Sequence, residues 1–87
     1  MASYELIFKK SVARDLRVFP KQHVKRILQR IRSLADDPRP AGCEKLSGQE
    51  RYRVRQGVYR IIYEIEDGRL TVLIVKVGHR REVYRGR

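Results

Sequence analysis

Eighty-seven residues suffice for one small hydrophobic core and are too few for two, so one domain over residues 1–87 is expected. A hydrophobic share of 41% argues against a disordered chain, although 36% of the residues are charged. Lys and Arg number 21 against 10 Asp and Glu, a net charge of +11 that calls for a polyanionic partner: nucleic acid first, an acidic protein second, an anionic membrane surface last.

Cys43 is the single cysteine, which leaves no intrachain disulfide and fits a reducing compartment. The apolar run of the opening MASYELIFKK is too short for a signal peptide, and no stretch approaches transmembrane length. A cytoplasmic protein is expected, without a membrane partner.

In chain order, SYELIF (Ser3–Phe8) alternates polar and apolar residues and reads as a first strand. Ser11 is placed to cap a short helix carrying Val12, Leu16 and Phe19 on one stripe. Pro20 suits the first turn of a second helix, in which Val24, Ile27, Leu28, Ile31 and Leu34 follow the i, i+3, i+4, i+7 rule. Its other face carries Lys21, Lys25, Arg26, Arg30 and Arg32, either a solvated face or one that docks a partner; His23 is expected at its surface. ADDPRPAG ends the helix at Pro38 and opens a loop.

From Arg51 the period changes to two. RYRVR, VYRIIYEIE and RLTVLIVKV read as three strands parted by QG and DG. The expected fold class is α+β: an N-terminal strand, a helical hairpin, then a three-stranded antiparallel meander, with the helices on one face of the sheet. The sequence leaves the place of the first strand open.

Two-residue loops at Gln56-Gly57 and Asp67-Gly68 would set Tyr52 across from Ile61, Val54 across from Tyr59, and Tyr63 across from Val72. That register gathers an apolar side for the helices to cover. On the other side it sets Arg53 across from Arg60, with Arg55 one row away. Like charges placed opposite one another destabilise a sheet, so this face is either solvated or an anion site whose repulsion is relieved when phosphates arrive. Ile62, Leu73 and Val75 would give it an apolar floor, a combination suited to single-stranded nucleic acid. The same register brings His79, Arg80, Arg81 and Tyr84, in the HRREVYRGR tail, to the mouth of the arginine face.

The ordered set EKLSG, then YRVRQGVYRIIY, then VKVGHRREVY resembles the RelE/ParE superfamily of bacterial toxins, most closely its RelE branch. The motif match spans about residues 44–84 and the order of elements covers the rest. The resemblance implies a RelE-like fold and a toxin neutralised by an acidic cognate antitoxin. It further implies a ribosome-dependent endoribonuclease that cuts mRNA in the A site. Carried over by position, the basic pair on the first meander strand is Arg53 and Arg55, the strand arginine is Arg60, the arginine after the VG turn is Arg80, and the tyrosine of EVY is Tyr84. Arginines stand here where lysines are familiar in the branch, and the distance from Gly78 to Tyr84 is shorter than usual.

Metal-free RNA cleavage uses the ribose 2′-OH as nucleophile. It needs a base for that hydroxyl, charge for the phosphorane and an acid for the 5′-oxygen. Arg53, Arg55, Arg60 and Arg80 suit charge stabilisation and not base chemistry, because guanidinium stays protonated. Tyr84 is the base candidate by resemblance, and nearby cations favour its phenolate. His79 is the candidate by intrinsic acidity. His23 and His79 are far apart in sequence, and no metal-ligand spacing, Gly-rich phosphate loop or dinucleotide fingerprint occurs, so no metal and no small-molecule cofactor is expected. Glu64, Glu66 and Asp67 fall near a hairpin end as charge balance. The rival readings are a ParE-like inhibitor of DNA gyrase without RNase activity, and an inactive module that binds nucleic acid or antitoxin.

Overall fold

The computed structural model describes residues 3–46 and 50–79. The elements are β1 (Glu5–Phe8), α1 (Lys10–Arg17), α2 (Lys21–Asp36), β2 (Glu44–Lys45), β3 (Arg51–Gln56), β4 (Tyr59–Glu66) and β5 (Thr71–His79). They form one sheet in the order β1-β5-β4-β3-β2, antiparallel except where β1 lies parallel to β5. The α+β order is as the sequence implies, with β2 added at one edge and β1 placed at the other.

Ile27, Ile31 and Leu34 of α2 and Val12 of α1 are fully buried against the sheet. The opposing residues are Tyr52, Val54, Tyr59, Ile61, Tyr63, Ile65, Val72, Ile74 and Val77, alternate positions of three adjacent strands. Ser11 lies inside α1, whose cap is Lys9, and Pro20 takes the cap position of α2 rather than its first turn.

The hairpins differ from expectation in register. The β3–β4 turn is Gly57-Val58, with Gly57 at φ 60°, because a tight hairpin turn favours glycine at its first central position. Tyr52 therefore faces Tyr63, Val54 faces Ile61 and Arg55 faces Arg60. This is a slip of two residues from the expected pairing, and an even slip leaves each side chain on its expected face. The β4–β5 connection is a 3-10 turn, Asp67–Arg69, followed by Leu70 at φ 50°, so Tyr63 faces Ile74 and not Val72.

A β-bulge has larger consequences. Tyr63 pairs with Ile74 and Ile62 with Lys76, so Val75 is the extra residue. Beyond it the alternation of β5 changes phase. Val77 enters the core, Gly78 joins the row of Arg60, and His79 pairs with Tyr59. Without the bulge, Lys76 would share the core phase of Val72 and Ile74. With it, Lys76 pairs with Ile62, outside that core, and its Nζ lies 3.3 Å from Asp15 of α1.

The loop after α2 is tied down at two points. Tyr63, fully buried, donates its hydroxyl to the Pro38 carbonyl at 2.7 Å. Arg39 forks onto Asp67 at 3.2 and 3.0 Å, donates to the Tyr52 hydroxyl at 3.2 Å, and Asp67 also accepts from Tyr4 at 2.7 Å. The hydrogen bond from Arg39, joined by that from Tyr4, holds the Asp67 carboxyl below its ordinary range. A depressed folded-state value contributes stability above the unfolded carboxyl range, and that stability is lost as pH falls through the folded value. Asp67→Asn is therefore expected to melt below the parent at neutral pH, with the gap closing below about pH 4. Thermal melts from pH 3 to 7 measure it. The pair is exposed, so added salt is expected to shrink the gap.

Candidate nucleic-acid interface

The face of the sheet away from the helices carries the charge. Its rows, read from the strand registers, run Arg55–Arg60–Gly78, then Glu44–Arg53–Ile62–Lys76, then Arg51–Glu64–Leu73–Ile7. Ile62, Leu73 and Val75 lie outside the core cluster beneath the helices, as an apolar floor requires. The face is thus cationic toward the β3–β4 turn and carboxylate-bearing toward the other end.

Arg53, Arg55 and Arg60 are brought together, and each is held differently. Arg55 is exposed. Arg60 is only 4% exposed, an unusual setting for a permanent cation, and stands beside Gly78, which contributes no side chain to that row. The expected neighbour of Arg60 was Arg53; the structure replaces it with Arg55. Arg53 faces Ile62 on one side and Glu44 on the other, and both Nε (3.1 Å) and Nη2 of its guanidinium donate to Glu44 Oε1. These bonds from Arg53 lower the pKa of Glu44, and the charges of Arg55 and Arg60 act in the same direction. One carboxylate thus senses all three arginines. Arg51 is balanced by Glu64 at 2.7 Å, Asp67 by Arg39 at 3.0 Å and Glu66 by Arg69 at 3.7 Å, so all three acidic residues assigned to charge balance are paired with arginines.

His79 is a correction. The bulge turns it to the helix side, where its ring meets Tyr59 edge-on with centroids 6.1 Å apart. Tyr59 there also packs on Phe19 (4.6 Å) and shares a 2.8 Å hydrogen bond with His23 Nδ1. His79 belongs to an aromatic cluster behind the sheet and not to the mouth of the arginine face. Arg80, Arg81 and Tyr84 lie outside the described residues. The residue that sequence reasoning missed is Glu44: its one signal is a place across from Arg53, which requires the strand register to see.

Comparison with known proteins agrees with this architecture. Residues 5–84 match the model of the family described as the ParE toxin of the type II toxin-antitoxin system parDE. Toxin RelG of Mycobacterium tuberculosis is 30% identical over 86 residues, covering 94% of this chain and 97% of that protein. Among solved structures, the RelBE2 toxin-antitoxin complex of M. tuberculosis superposes with a TM-score of 0.81 at 27% identity, covering 91% of this chain and 93% of that one. The archaeal RelE-RelB complex of Pyrococcus horikoshii gives 0.81 at 31% identity, covering 90% and 96%. With the family matched over nearly its whole length and the fold shared with solved toxins, the chain belongs to the RelE/ParE superfamily and is a toxin of a type II toxin–antitoxin system.

Proposed function

We propose that this toxin is a ribosome-dependent endoribonuclease that cleaves mRNA in the A site, without a metal, and so arrests translation in the cytoplasm. The observation that carries the reading is the convergence of Arg53, Arg55 and Arg60 on the sheet face away from the helices, within range of one carboxylate and beside Ile62. Arg55, exposed, grips a phosphate; Arg53 and Arg60, largely covered, supply fixed positive charge to the phosphorane at no cost of reorganisation during the reaction. The ribosome contributes the geometry of the mRNA. Arg80 and Tyr84 join the site by resemblance, as added charge and as a proton carrier.

The second reading is gyrase inhibition, favoured by the description of the matching family as a ParE toxin. Mapping mRNA ends in expressing cells separates the two. Cuts within A-site codons are expected. Intact mRNA together with gyrase-linked DNA breaks would assign the protein to the ParE branch.

The partner is an acidic antitoxin. The relatives above were solved as toxin–antitoxin complexes, and a net charge of +11 favours an anionic segment that folds over the basic surface.

A further inference from the structure

The two edges of the sheet are finished differently. β2, at one edge, is two residues long and both are charged, Glu44 and Lys45, which blunts an edge against further pairing. β1, at the other, carries the apolar run Leu6-Ile7-Phe8, and among the described residues no strand lies beyond it. Ile7 and Phe8, side by side on it, are 43% and 41% exposed. An apolar edge with outward backbone groups is a template for another strand.

The backbone decides which strand fits. Glu5 N–H donates to the Leu70 carbonyl at 2.7 Å and Lys9 N–H to the Ile74 carbonyl at 3.1 Å, so the odd-numbered residues bond toward β5. Alternation then turns the N–H and C=O of Leu6 and Phe8 outward. Lys9 keeps an extended backbone (φ −66°, ψ 150°), so the strand geometry runs from Glu5 through Lys9. That run, Glu-Leu-Ile-Phe-Lys, is complementary to its own reverse.

We propose that β1 is a homodimerisation edge, on which β1 of a second copy of this chain adds antiparallel about a two-fold axis at Ile7. Leu6 of each copy then lies across from Phe8 of the other, and these outward residues exchange N–H···O=C bonds in both directions. Ile7 meets the second copy's Ile7 in the closer, non-hydrogen-bonded row. Glu5 lies across from the second copy's Lys9, on both sides of the axis, and opposite charges so placed attract. A shift of two residues loses this match. It brings against an outward residue either Tyr4, whose N–H is taken by the Ala35 carbonyl, or Lys10, already in α1. The contact is isologous and closes on itself. Arg53, Arg55 and Arg60 lie on β3 and β4, away from this edge, and take no part in it.

One short strand buries an area in the small, transient class, below about 1,200 Å², and two copies of net charge +11 repel. The dimer is therefore weak, with a dissociation constant between about 1 μM and 1 mM. It needs about 0.15 M salt or more to screen the repulsion.

The test is sedimentation equilibrium of the full-length toxin freed from its antitoxin, from about 1 μM to 1 mM in that salt, with amide exchange read in parallel. A monomer–dimer equilibrium is expected, with the Leu6 and Phe8 amides gaining protection as concentration rises. Glu5→Lys and Lys9→Glu should each weaken the dimer about tenfold, because each change makes a cross-strand attraction a repulsion on both sides of the axis. The double variant should restore it. Lys9→Glu separates register from bulk charge: it lowers the net positive charge, so a dimer limited by repulsion alone would tighten. Both positions are exposed, and thermal melts check that the variants are folded. A toxin that stays monomeric throughout overturns the inference, as does a dimer whose Leu6 and Phe8 amides remain unprotected. A double variant no better than either single change overturns it as well. Protection of those amides only when antitoxin is added would give the edge to the antitoxin and end the proposal.

Discussion

Arg60→Ala is expected to lose cleavage and stability together. On cleavage, removing one preset charge from a phosphoryl site costs roughly 2–4 kcal/mol of transition-state stabilisation, or about 10²- to 10³-fold in rate. On stability, the pairing first expected for this residue, directly across from Arg53, would make the alanine neutral or even helpful through relief of repulsion. The structure reverses that sign. Arg60 is 4% exposed and pairs with Arg55 on one side and Gly78 on the other, so truncation removes a buried stem and opens space, at a cost of about 1–3 kcal/mol. Arg55→Ala is the contrast. It deletes an exposed cation facing the same neighbour, so cleavage should fall while the melting temperature holds or rises. Single-turnover rates and melts on both variants give four numbers. An Arg60→Ala protein that melts low but cleaves normally per folded molecule would make the arginine structural and leave Arg53 and Arg55 to bear the phosphate.

What the sequence disclosed was parity, and what it hid was register. RYRVR and VYRIIYEIE assign their faces by alternation alone, and a two-residue slip in the turn does not disturb them. The slip itself was legible in one respect: a glycine suits the first central position of a tight hairpin turn, which selects Gly57-Val58 over Gln56-Gly57. The bulge at Val75 was legible in another. Unbroken alternation from Val72 drives Lys76 into the core phase, and a single extra residue relieves that misfit. Missing it put His79 on the wrong side of the sheet. The parallel pairing of β1 with β5 left no such trace. Its partners, Glu5 with Thr71 through Phe8 with Ile74, are more than sixty residues apart, and both Leu6 and Ile7 are apolar. β2 is two charged residues long, below anything periodicity reveals. Glu44 was invisible for the same reason, since its neighbours are set by pairing and not by spacing.

Tyr63→Ala is expected to be the most damaging change in the core, and Tyr63→Phe the more informative one. The ring is fully buried in β4 and stacks on Tyr52 with centroids 5.9 Å apart, so its removal leaves a cavity costing about 3–5 kcal/mol. In so small a domain that is a large part of the total stability, typically 5–15 kcal/mol. Burial also pushes the pKa of the phenol up, so the hydroxyl stays protonated and remains a donor to Pro38. Phenylalanine keeps the ring and deletes that donor, leaving a carbonyl on a buried residue without its bond at a cost of about 1–3 kcal/mol. The consequence reaches the site, because the chain runs from Pro38 to Glu44 in six residues and enters β2 there. A loosened loop holds Glu44 and Arg53 less firmly. Tyr63→Phe should therefore cut several-fold more slowly even where it is fully folded, and amide exchange should rise at Glu44 and Lys45 more than in β4. Denaturant melts, exchange and single-turnover cleavage measure the three effects. A Phe variant that melts lower yet shows parental exchange in β2 and parental cleavage would confine Tyr63 to the core and detach the loop from the chemistry.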